Sequence, residues 1–340
     1  MPNVINLMNT IRANSSADYQ ARVPEATKDN IANVGNPILE YATVFNEFAV
    51  NLVNRIAFTV VQNRMWNNPL SPLKKSKTPL GGDIQLIHTN PVKGEAYDLN
   101  GADLLTPKRP DSVQVVFRLN RRDKYKVTVN YDELQKAFVS WGEFDMYVSS
   151  IMNSMYSGDS IDEYLLMKHT LSQAVSDGYA VKKTLETNPA SSPDSGTAFV
   201  KAIKSYSSVM RFPSTAYNAY ATKTGKDARI TWTEADDQYL IVCAPLLASL
   251  DVDVLAKAFN ISNVEFMAKT LVVDSFEPTA SGETICAILC DQAFAQFYDD
   301  VYRSEDARNG SGLFANFFLH HWQTLTVNPM ANAIAFVVSE

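Results

Sequence analysis

The adjacent histidines His320 and His321 are the first residues that suggest metal chemistry, because imidazole is a common metal ligand. They lie in the alternating stretch LFANFFLHHWQTLT, a pattern typical of a β-strand. Side chains of neighbouring strand residues point to opposite faces of a sheet, so the two rings cannot converge on one ion. We therefore assign no metal ligand to this pair.

Cys286 and Cys290 stand four residues apart, a spacing that would bring the two thiols together on a helix. Their stretch, TICAILC, is typical of a buried strand instead, in which four residues span about 13 Å. The chain has three cysteines, and this odd number argues against a disulfide framework and for a reducing compartment. We expect buried thiols and no zinc site.

Other reactive groups lack the surroundings that catalysis needs. The stretch TKTGKDAR has Tyr220 and Asp227 where a phosphate-binding loop requires a glycine and a hydroxyl residue. Asp251 and Asp253 lie at the predicted start of a helix, where carboxylates stabilise free N–H groups. No serine lies in a nucleophile-elbow motif. The sequence predicts no catalytic residue and no cofactor, and thus a protein that is not an enzyme.

Charge is distributed unevenly along this chain of 340 residues, whose net charge is −7. The segment Arg64 to Lys126 has 12 Lys/Arg against 6 Asp/Glu, a net +6, which leaves −13 for the remainder. A basic segment can bind nucleic acid, but between residues 65 and 111 only Trp66 and Tyr97 could interleave aromatic rings with the charges. A basic arm that meets an acidic face of another copy fits better. The longest apolar stretch, 239–250, is too short to span a membrane.

The first half of the chain alternates between helical and strand periodicity. Residues 1–35 are polar without a strong period, and a helix is predicted from Asn36-Pro37 and a strand from Arg55. The stretch NNPLSPLKKSKTPLGGD, 67–83, has almost no apolar side chain to anchor it. A short strand at 83–88, a β-hairpin over 112–129 with Asn120–Asp123 as its charged tip, and a rod-like helix of about 26 residues from 131 follow.

The second half mixes both periods. A second helix ends at Gly178, and a flexible joint is predicted at 188–196. Helices are expected at 198–210 and 250–259, and strands at 238–243, 270–274, 284–289, 294–298, 313–326 and 332–338.

The basic segment could form a two-stranded arm that reaches on the order of 60 Å, beyond a globule whose radius of gyration is near ~20 Å. Isolated two-stranded ribbons are marginal in water, so such an arm needs a second surface, which another copy could supply. The alternative is a long loop folded back on its own domain.

Several long stretches resemble the major capsid protein of phi29-like podoviruses. They are KAFVSWGEFDMYVSSIMNSMY (136–156), IDEYLLMKHTLSQAVSDG (161–178), LDVDVLAKAFN (250–260), HHWQTLTVNPMANAIAFV (320–337) and NPLSPLKKSKTPLGGDIQLIHT (68–89). The resemblance runs in order from about residue 20 to the last predicted strand.

This resemblance implies an α+β chain with the HK-97-like capsid fold. Its parts would be an N-terminal arm (1–55), an E-loop built as an extended β-hairpin (56–128), a peripheral P-domain (129–196 and 313–340) with a spine helix at about 131–177, and an axial A-domain (197–312). The best-known relative carries a C-terminal immunoglobulin-like domain, and we expect none here.

The resemblance also implies a function: self-assembly into the icosahedral or prolate head shell of a small tailed bacteriophage, around double-stranded DNA that is bound without sequence specificity. Implied partners are further copies in hexamers and pentamers, a scaffolding protein and a portal. The implied location is the virion, after assembly in the host bacterial cytoplasm. An encapsulin-type nanocompartment shell and a nucleic-acid-binding protein that uses the basic hairpin remain alternatives.

For the E-loop, we predict that basic side chains meet carboxylates of a neighbouring subunit. Each exposed ion pair is worth only ~0–1 kcal/mol, so the strength of the shell must come from the number of contacts. The residues are Lys74, Lys75, Lys77, Arg118, Arg121 and Arg122.

Overall fold

The computed structural model of the chain describes residues 2–56, 66–76, 83–96, 105, 107–250 and 269–339. The helix expected at 250–259 lies outside these residues from Asp251 onward, and Asp253 lies outside them too. Lys77 and most of the strand expected from Arg55 are also outside the described residues.

Helices and strands alternate along the described chain. The α-helices are α1 (Pro2–Ala13), α2 (Ala17–Arg22), α3 (Ile31–Glu40), α4 (Ala42–Ile56), α5 (Tyr131–Ala137), α6 (Trp141–Met152), α7 (Gly158–Ser176), α8 (Pro193–Val209), α9 (Tyr220–Thr224) and α10 (Ala244–Ser249). The strands are β1 (Ile84–Thr89), β2 (Ser112–Phe117), β3 (Arg121–Asn130), β4 (Val181–Leu185), β5 (Gln238–Cys243), β6 (Thr270–Val273), β7 (Thr284–Asp291), β8 (Ala295–Asn309), β9 (Phe314–Val327) and β10 (Ala333–Val338).

The strands form three sheets among the described residues, with orders β1-β2, β3-β9-β8 and β4-β10-β7-β5-β6. In the five-stranded sheet, β10 pairs in parallel with β4 and antiparallel with β7, while β5 pairs in parallel with β6. This combination of mixed sheets and helices confirms the α+β prediction.

The chain divides into two compact units. Unit 1 comprises Met1–Asn68, Arg121–Glu163 and Val301–Trp322, and its core contains a group of aromatic rings in which Phe138 stacks on Phe144. Unit 2 comprises Pro69–Asn120, Tyr164–Asp300 and Gln323–Glu340.

In unit 2, apolar clusters cover both faces of the five-stranded sheet. Leu171 of α7 belongs to the cluster that contains Ile288, and Phe199 of α8 to the cluster that contains Leu289. Alternate residues of a strand face opposite sides, so β7 must be apolar along its whole length. Its near-continuous run ICAILC is the sequence signature of this arrangement.

The prediction that residues 1–35 lack regular periodicity is wrong. Val4, Leu7, Met8 and Ile11 recur at helical spacing in α1 and are buried in the core of unit 1. The helix expected to start at Asn36-Pro37 starts earlier: α3 begins at Ile31, and Pro37 lies inside it. The weak hydrophobicity of the segment hid a narrow but regular apolar stripe.

The predicted hairpin over 112–129 is also wrong. Strand β2 pairs antiparallel with β1, with Ile84 opposite Phe117, whereas β3 lies beside β9 in another sheet. Asn120, which lies between β2 and β3, ties the connection to Leu325: its side chain donates to Leu325 O (2.7 Å) and accepts from Leu325 N (2.8 Å). The residues expected to form a charged tip therefore belong to a connection and to the start of β3.

The stretch 67–83 does have an apolar anchor, contrary to expectation. Leu70, which precedes a short 3-10 helix, and Leu73, which ends it, are 0% and 1% exposed in the core of unit 2. Two leucines at this spacing are a weak signal in a stretch otherwise dominated by proline, lysine and glycine, which is why the sequence concealed them.

The long helical region is broken where a single rod was expected. The break falls between α5 and α6, where Ser140 accepts a hydrogen bond from Glu143 N (3.2 Å). Beyond α6 the chain stays helical past residue 156, where the rod of about 26 residues was expected to end, because a π-helical segment, Asn153–Ser157, leads directly into α7. The predicted stop is confirmed: α7 ends just before Gly178, whose φ of 74° favours glycine.

Within unit 2, polar contacts join α7 to the end of β6. Lys168 Nζ lies 2.9 Å from both carboxylate oxygens of Asp274, and Tyr164 also donates a hydrogen bond to this carboxylate. Burial opposes ionisation, but the hydrogen bonds from Tyr164 and Lys168 outweigh it and lower the pKa of Asp274 to about 2.

This depressed pKa predicts an acid-dependent loss of stability. Ionised Asp274 stabilises the fold at pH values above its ordinary pKa of 3.8, and the contribution is lost as the pH falls from about 4 toward 2. The Asp274 side chain is 61% exposed, so we expect Asp274→Asn to cost only about 1 kcal/mol at pH 7. Chemical unfolding of both proteins between pH 7 and 2 should show that difference shrinking; a constant difference would contradict the assignment.

Candidate inter-subunit contact region

Lys74 and Lys75 follow the buried turn of Leu70 and Leu73, which fixes their backbone. Lys74 forms a parallel bridge with Phe297 of β8, and its Nζ lies 2.9 Å from Asp299 Oδ2. Lys75 N donates to Phe297 O (2.8 Å), and its ammonium donates to Gln292 O. Burial lowers the pKa of Lys75. Both lysines therefore have partners within their own chain, and a contact with a second copy would have to share or replace them.

Arg118 and Arg121 have opposite environments although only two residues separate them. Arg118 is 80% exposed and forms a loose ion pair with Asp83 (Nε–Oδ2 3.3 Å). Arg121 is 4% exposed. As the first residue of β3, it lies on the strand face that packs into unit 1, while its neighbour Arg122 points to solvent.

Arg121 belongs to a buried polar network in unit 1. Its guanidinium contacts Asp123 (2.7 Å), the hydroxyl of Tyr125 (2.7 Å) and Asp159 (3.3 Å), and His321 Nδ1 lies 2.6 Å from the same oxygen of Asp159. Burial opposes the charge of Arg121, but the bond to Asp123 and the surrounding groups raise its pKa overall. This placement leaves the Arg121 side chain no exposed surface to offer to a neighbour.

Arg122 heads a row of cations that lie over aromatic rings. Its guanidinium lies 5.0 Å from the ring centre of Trp322, while Lys124 and Lys126 lie 5.9 and 6.0 Å from Phe318. Alternate residues of β3 supply the cations and β9 the rings, so local sequence could not show the pairing. The sequence signal for this row was the alternating positive charge in RRDKYK. Because the cations cover the rings of Trp322 and Phe318, these rings are poorly placed to stack with nucleic-acid bases.

The β1–β2 ribbon has two different faces. By register, Gln85 opposes Val116 and Ile87 opposes Gln114 on one face, where Ile87 and Val116 are 69% and 43% exposed. On the other face, Leu86 and His88 line a cavity of about 460 Å³ together with residues of unit 2 such as Trp232 and Met330. The ribbon therefore has one face against its own chain and one face with exposed apolar side chains.

The loop end of the ribbon is fastened to residues 227–230. Asn90 Nδ2 donates to Asp111 Oδ2 (2.7 Å) and Ala228 O (3.1 Å), and Asn90 Oδ1 accepts from Ile230 N (2.9 Å). Arg229 Nη1 lies 2.9 Å from Asp111 Oδ1. These bonds from Arg229 and Asn90 lower the pKa of Asp111. The loop end of the described ribbon is thus attached to its own chain.

The residues that first suggested chemistry occupy structural positions. His321 is buried and His320 lies on the other face of β9, as predicted. Cys286 and Cys290 are buried in β7, which confirms the prediction for these thiols, and burial raises the pKa of Cys286 to about 11. Gly225 ends α9 with a φ of 65°, as expected for a surface turn. Among the described residues, no helix is long and apolar enough to cross a membrane.

Comparison with known families decides what this arrangement belongs to. The profile of the Phi29-like phage major capsid protein matches residues 8–337. The chain belongs to this family. The major capsid protein of Bacillus phage PZA is 37% identical over 98% of this chain and 72% of that protein, and that of Bacillus phage B103 is 34% identical over 98% and 73%. The major capsid protein of Streptococcus phage Cp-1 is 29% identical over 99% and 94%.

Solved phage structures share the fold of this Phi29-like capsid protein. A chain from the capsid structure of Staphylococcus phage Andhra superimposes with a TM-score of 0.66 at 14% identity, over 83% of this chain and 87% of that one. A chain from the structure of head fiber and inner core protein gp22 of native bacteriophage P68 gives 0.63 at 12% identity, over 82% and 86%. The HK-97-like fold implied by the sequence is confirmed. As a major capsid protein of this family, the chain is a structural component of a phage virion.

Proposed function

We propose that this chain builds the head shell of a small tailed bacteriophage by packing as hexamers and pentamers around double-stranded DNA. The observation that carries the proposal is the family match, which spans residues 8–337 and so includes nearly every described element. A scaffolding protein during assembly, a portal at one vertex and a host bacterial cytoplasm as the place of assembly are parts of the same proposal. The chain performs no catalysis in this role.

We propose the domain boundaries that were expected from the sequence: an N-terminal arm at 1–55, an E-loop at 56–128, a P-domain at 129–196 and 313–340, and an A-domain at 197–312. The E-loop would contact a second copy. Exposure supports Arg118 and Arg122 as its basic contacts. Lys74 and Lys75 would contribute after sharing their present partners, Lys77 stays a prediction, and burial removes Arg121.

The cation row that begins at Arg122 gives this proposal a direct test. The chain outside residues 64–126 carries a net charge of −13, so a second copy offers carboxylates to an exposed guanidinium. We expect Arg122→Glu to raise the subunit concentration needed for shell formation about fivefold, equivalent to about 1 kcal/mol per contact. Light scattering and negative-stain microscopy of purified subunits, with scaffolding protein where required, would measure it.

The matched control is Lys201→Glu, which reverses an exposed charge on α8 and should leave the threshold within twofold of the wild type. An unchanged threshold for Arg122→Glu would contradict the contact. A wild-type protein that stays a monodisperse monomer under all these conditions and binds DNA would overturn the shell proposal and favour the nucleic-acid alternative.

A further inference from the structure

We infer that a polar clamp at the loop end of the β1–β2 ribbon holds the ribbon in position for contact with a second copy of the chain. The clamp consists of Asn90, Asp111 and Arg229, all of which lie in unit 2. The inference rests on the proposed shell function for the identity of the partner, but the clamp itself acts in a single subunit.

Asn90 joins the two ribbon ends to each other and to the body of unit 2. Its backbone N–H donates to Asp111 O (3.0 Å), which closes the ribbon beyond the last strand pair. Its side-chain amide donates to the Asp111 carboxylate and to Ala228 O, and it accepts from Ile230 N. One side chain thus fixes both strands of the ribbon against a single loop.

Arg229 makes this attachment costly to break. Its side chain is 2% exposed and its guanidinium lies 5.4 Å from the ring centre of Tyr220. Nη1 contacts both the carboxylate (2.9 Å) and the carbonyl oxygen (3.2 Å) of Asp111, and Nε donates to Asp227 O (3.2 Å). A buried guanidinium that loses its carboxylate partner keeps only neutral groups such as Asp227 O to compensate its charge, so the closed clamp is preferred.

The ribbon requires such a support because two antiparallel strands alone are marginally stable in water. The clamp supplies the second surface within the chain and leaves Ile87 and Val116 exposed on the opposite face. It therefore orders the ribbon without covering the face that a second copy would bind. Ordering before contact lowers the conformational entropy that binding must overcome.

The ribbon end near Asp83 is held by other contacts. Phe117 is 7% exposed there, and Asn120, just beyond β2, bonds to Leu325. The exposed ion pair of Asp83 with Arg118 spans 3.3 Å, and pairs of this kind contribute little. The clamp therefore decides the position of the loop end of the ribbon. We define two variants of the clamp: Asp111→Asn removes the charge that faces Arg229, and Asn90→Ala removes the amide while leaving the ion pair in place.

Hydrogen–deuterium exchange of the unassembled subunit tests the clamp directly. We expect amides of residues 84–89 and 112–117 to exchange at least tenfold faster in Asp111→Asn, and several-fold faster in Asn90→Ala, which also serves if the first variant fails to fold. The matched control is Glu95→Gln, which removes an exposed carboxylate paired with Lys108 in the same loop and should change exchange by less than twofold. Equal exchange in all four proteins would overturn the clamp.

The assembly threshold tests the positioning role. We expect both clamp variants to need at least fivefold more subunit than the wild type to form shells. A lowered threshold would mean that the clamp holds the ribbon away from its partner, and an unchanged threshold with faster exchange would mean that ribbon order does not matter; either result overturns the inference. Failure of the wild type to form shells would instead overturn the proposed function. The exchange data on the unassembled subunit would still test the clamp separately.

Discussion

Replacing Asp159 by asparagine is expected to lower the free energy of unfolding by roughly 3–5 kcal/mol. The Asp159 side chain is 6% exposed and contacts both Arg121 (3.3 Å) and His321 (2.6 Å), which are themselves buried. The Asp159→Asn change leaves the buried Arg121 guanidinium with less negative charge to compensate it. It also removes the carboxylate that faces the His321 imidazole. Equilibrium urea unfolding of the unassembled subunit measures the change.

Asp123→Asn is the control for this prediction, because Asp123 contacts the same guanidinium at 2.7 Å but is 44% exposed. Water can replace much of that interaction, so the expected loss is about 1 kcal/mol or less. Equal losses for the two variants would show that burial does not decide the strength of this network, and a loss below 1 kcal/mol for Asp159→Asn would contradict its buried role.

The strands of the five-stranded sheet were predictable because their signal is local. The runs QYLIVC and TICAILC consist almost entirely of apolar residues, and this continuity is what a strand covered on both faces requires. The ranges expected for β5, β6, β7, β9 and β10 accordingly agree with the structure to within about two residues, whereas the strand expected at 294–298 continues as β8 to Asn309.

Strand partners were not predictable to the same degree, because pairing depends on residues distant in the chain. The alternation in 112–129 is real on both sides of Asn120, yet the two strands belong to different sheets. What separates them is the bonding of Asn120 to Leu325, a residue that lies 205 positions away. No turn motif such as Asn-Gly fixed a hairpin there, and the charged link was an inadequate substitute for one.

The candidate contacts show the same limit of local information. Charge composition identified the basic segment correctly, but it could not separate the buried Arg121 from the exposed Arg122. Strand alternation predicts that two neighbouring residues differ in burial without saying which of them faces the core. The carboxylate that decides it, Asp159, lies 38 positions away on another element.

Leu73→Ala is expected to lower the free energy of unfolding by roughly 2–5 kcal/mol, because Leu73 is 1% exposed and its truncation leaves a cavity in the core of unit 2. The same change should loosen the backbone that holds Lys74 beside Asp299, so amide exchange of residues 70–76 should accelerate together with global destabilisation. Urea unfolding and exchange on the unassembled subunit provide both readings. Ser71→Ala, an exposed change in the same turn, should stay within about 0.5 kcal/mol of the wild type. A similarly small effect for Leu73→Ala would contradict the apolar anchor and would support the unanchored loop that the proline, lysine and glycine content of this segment suggests.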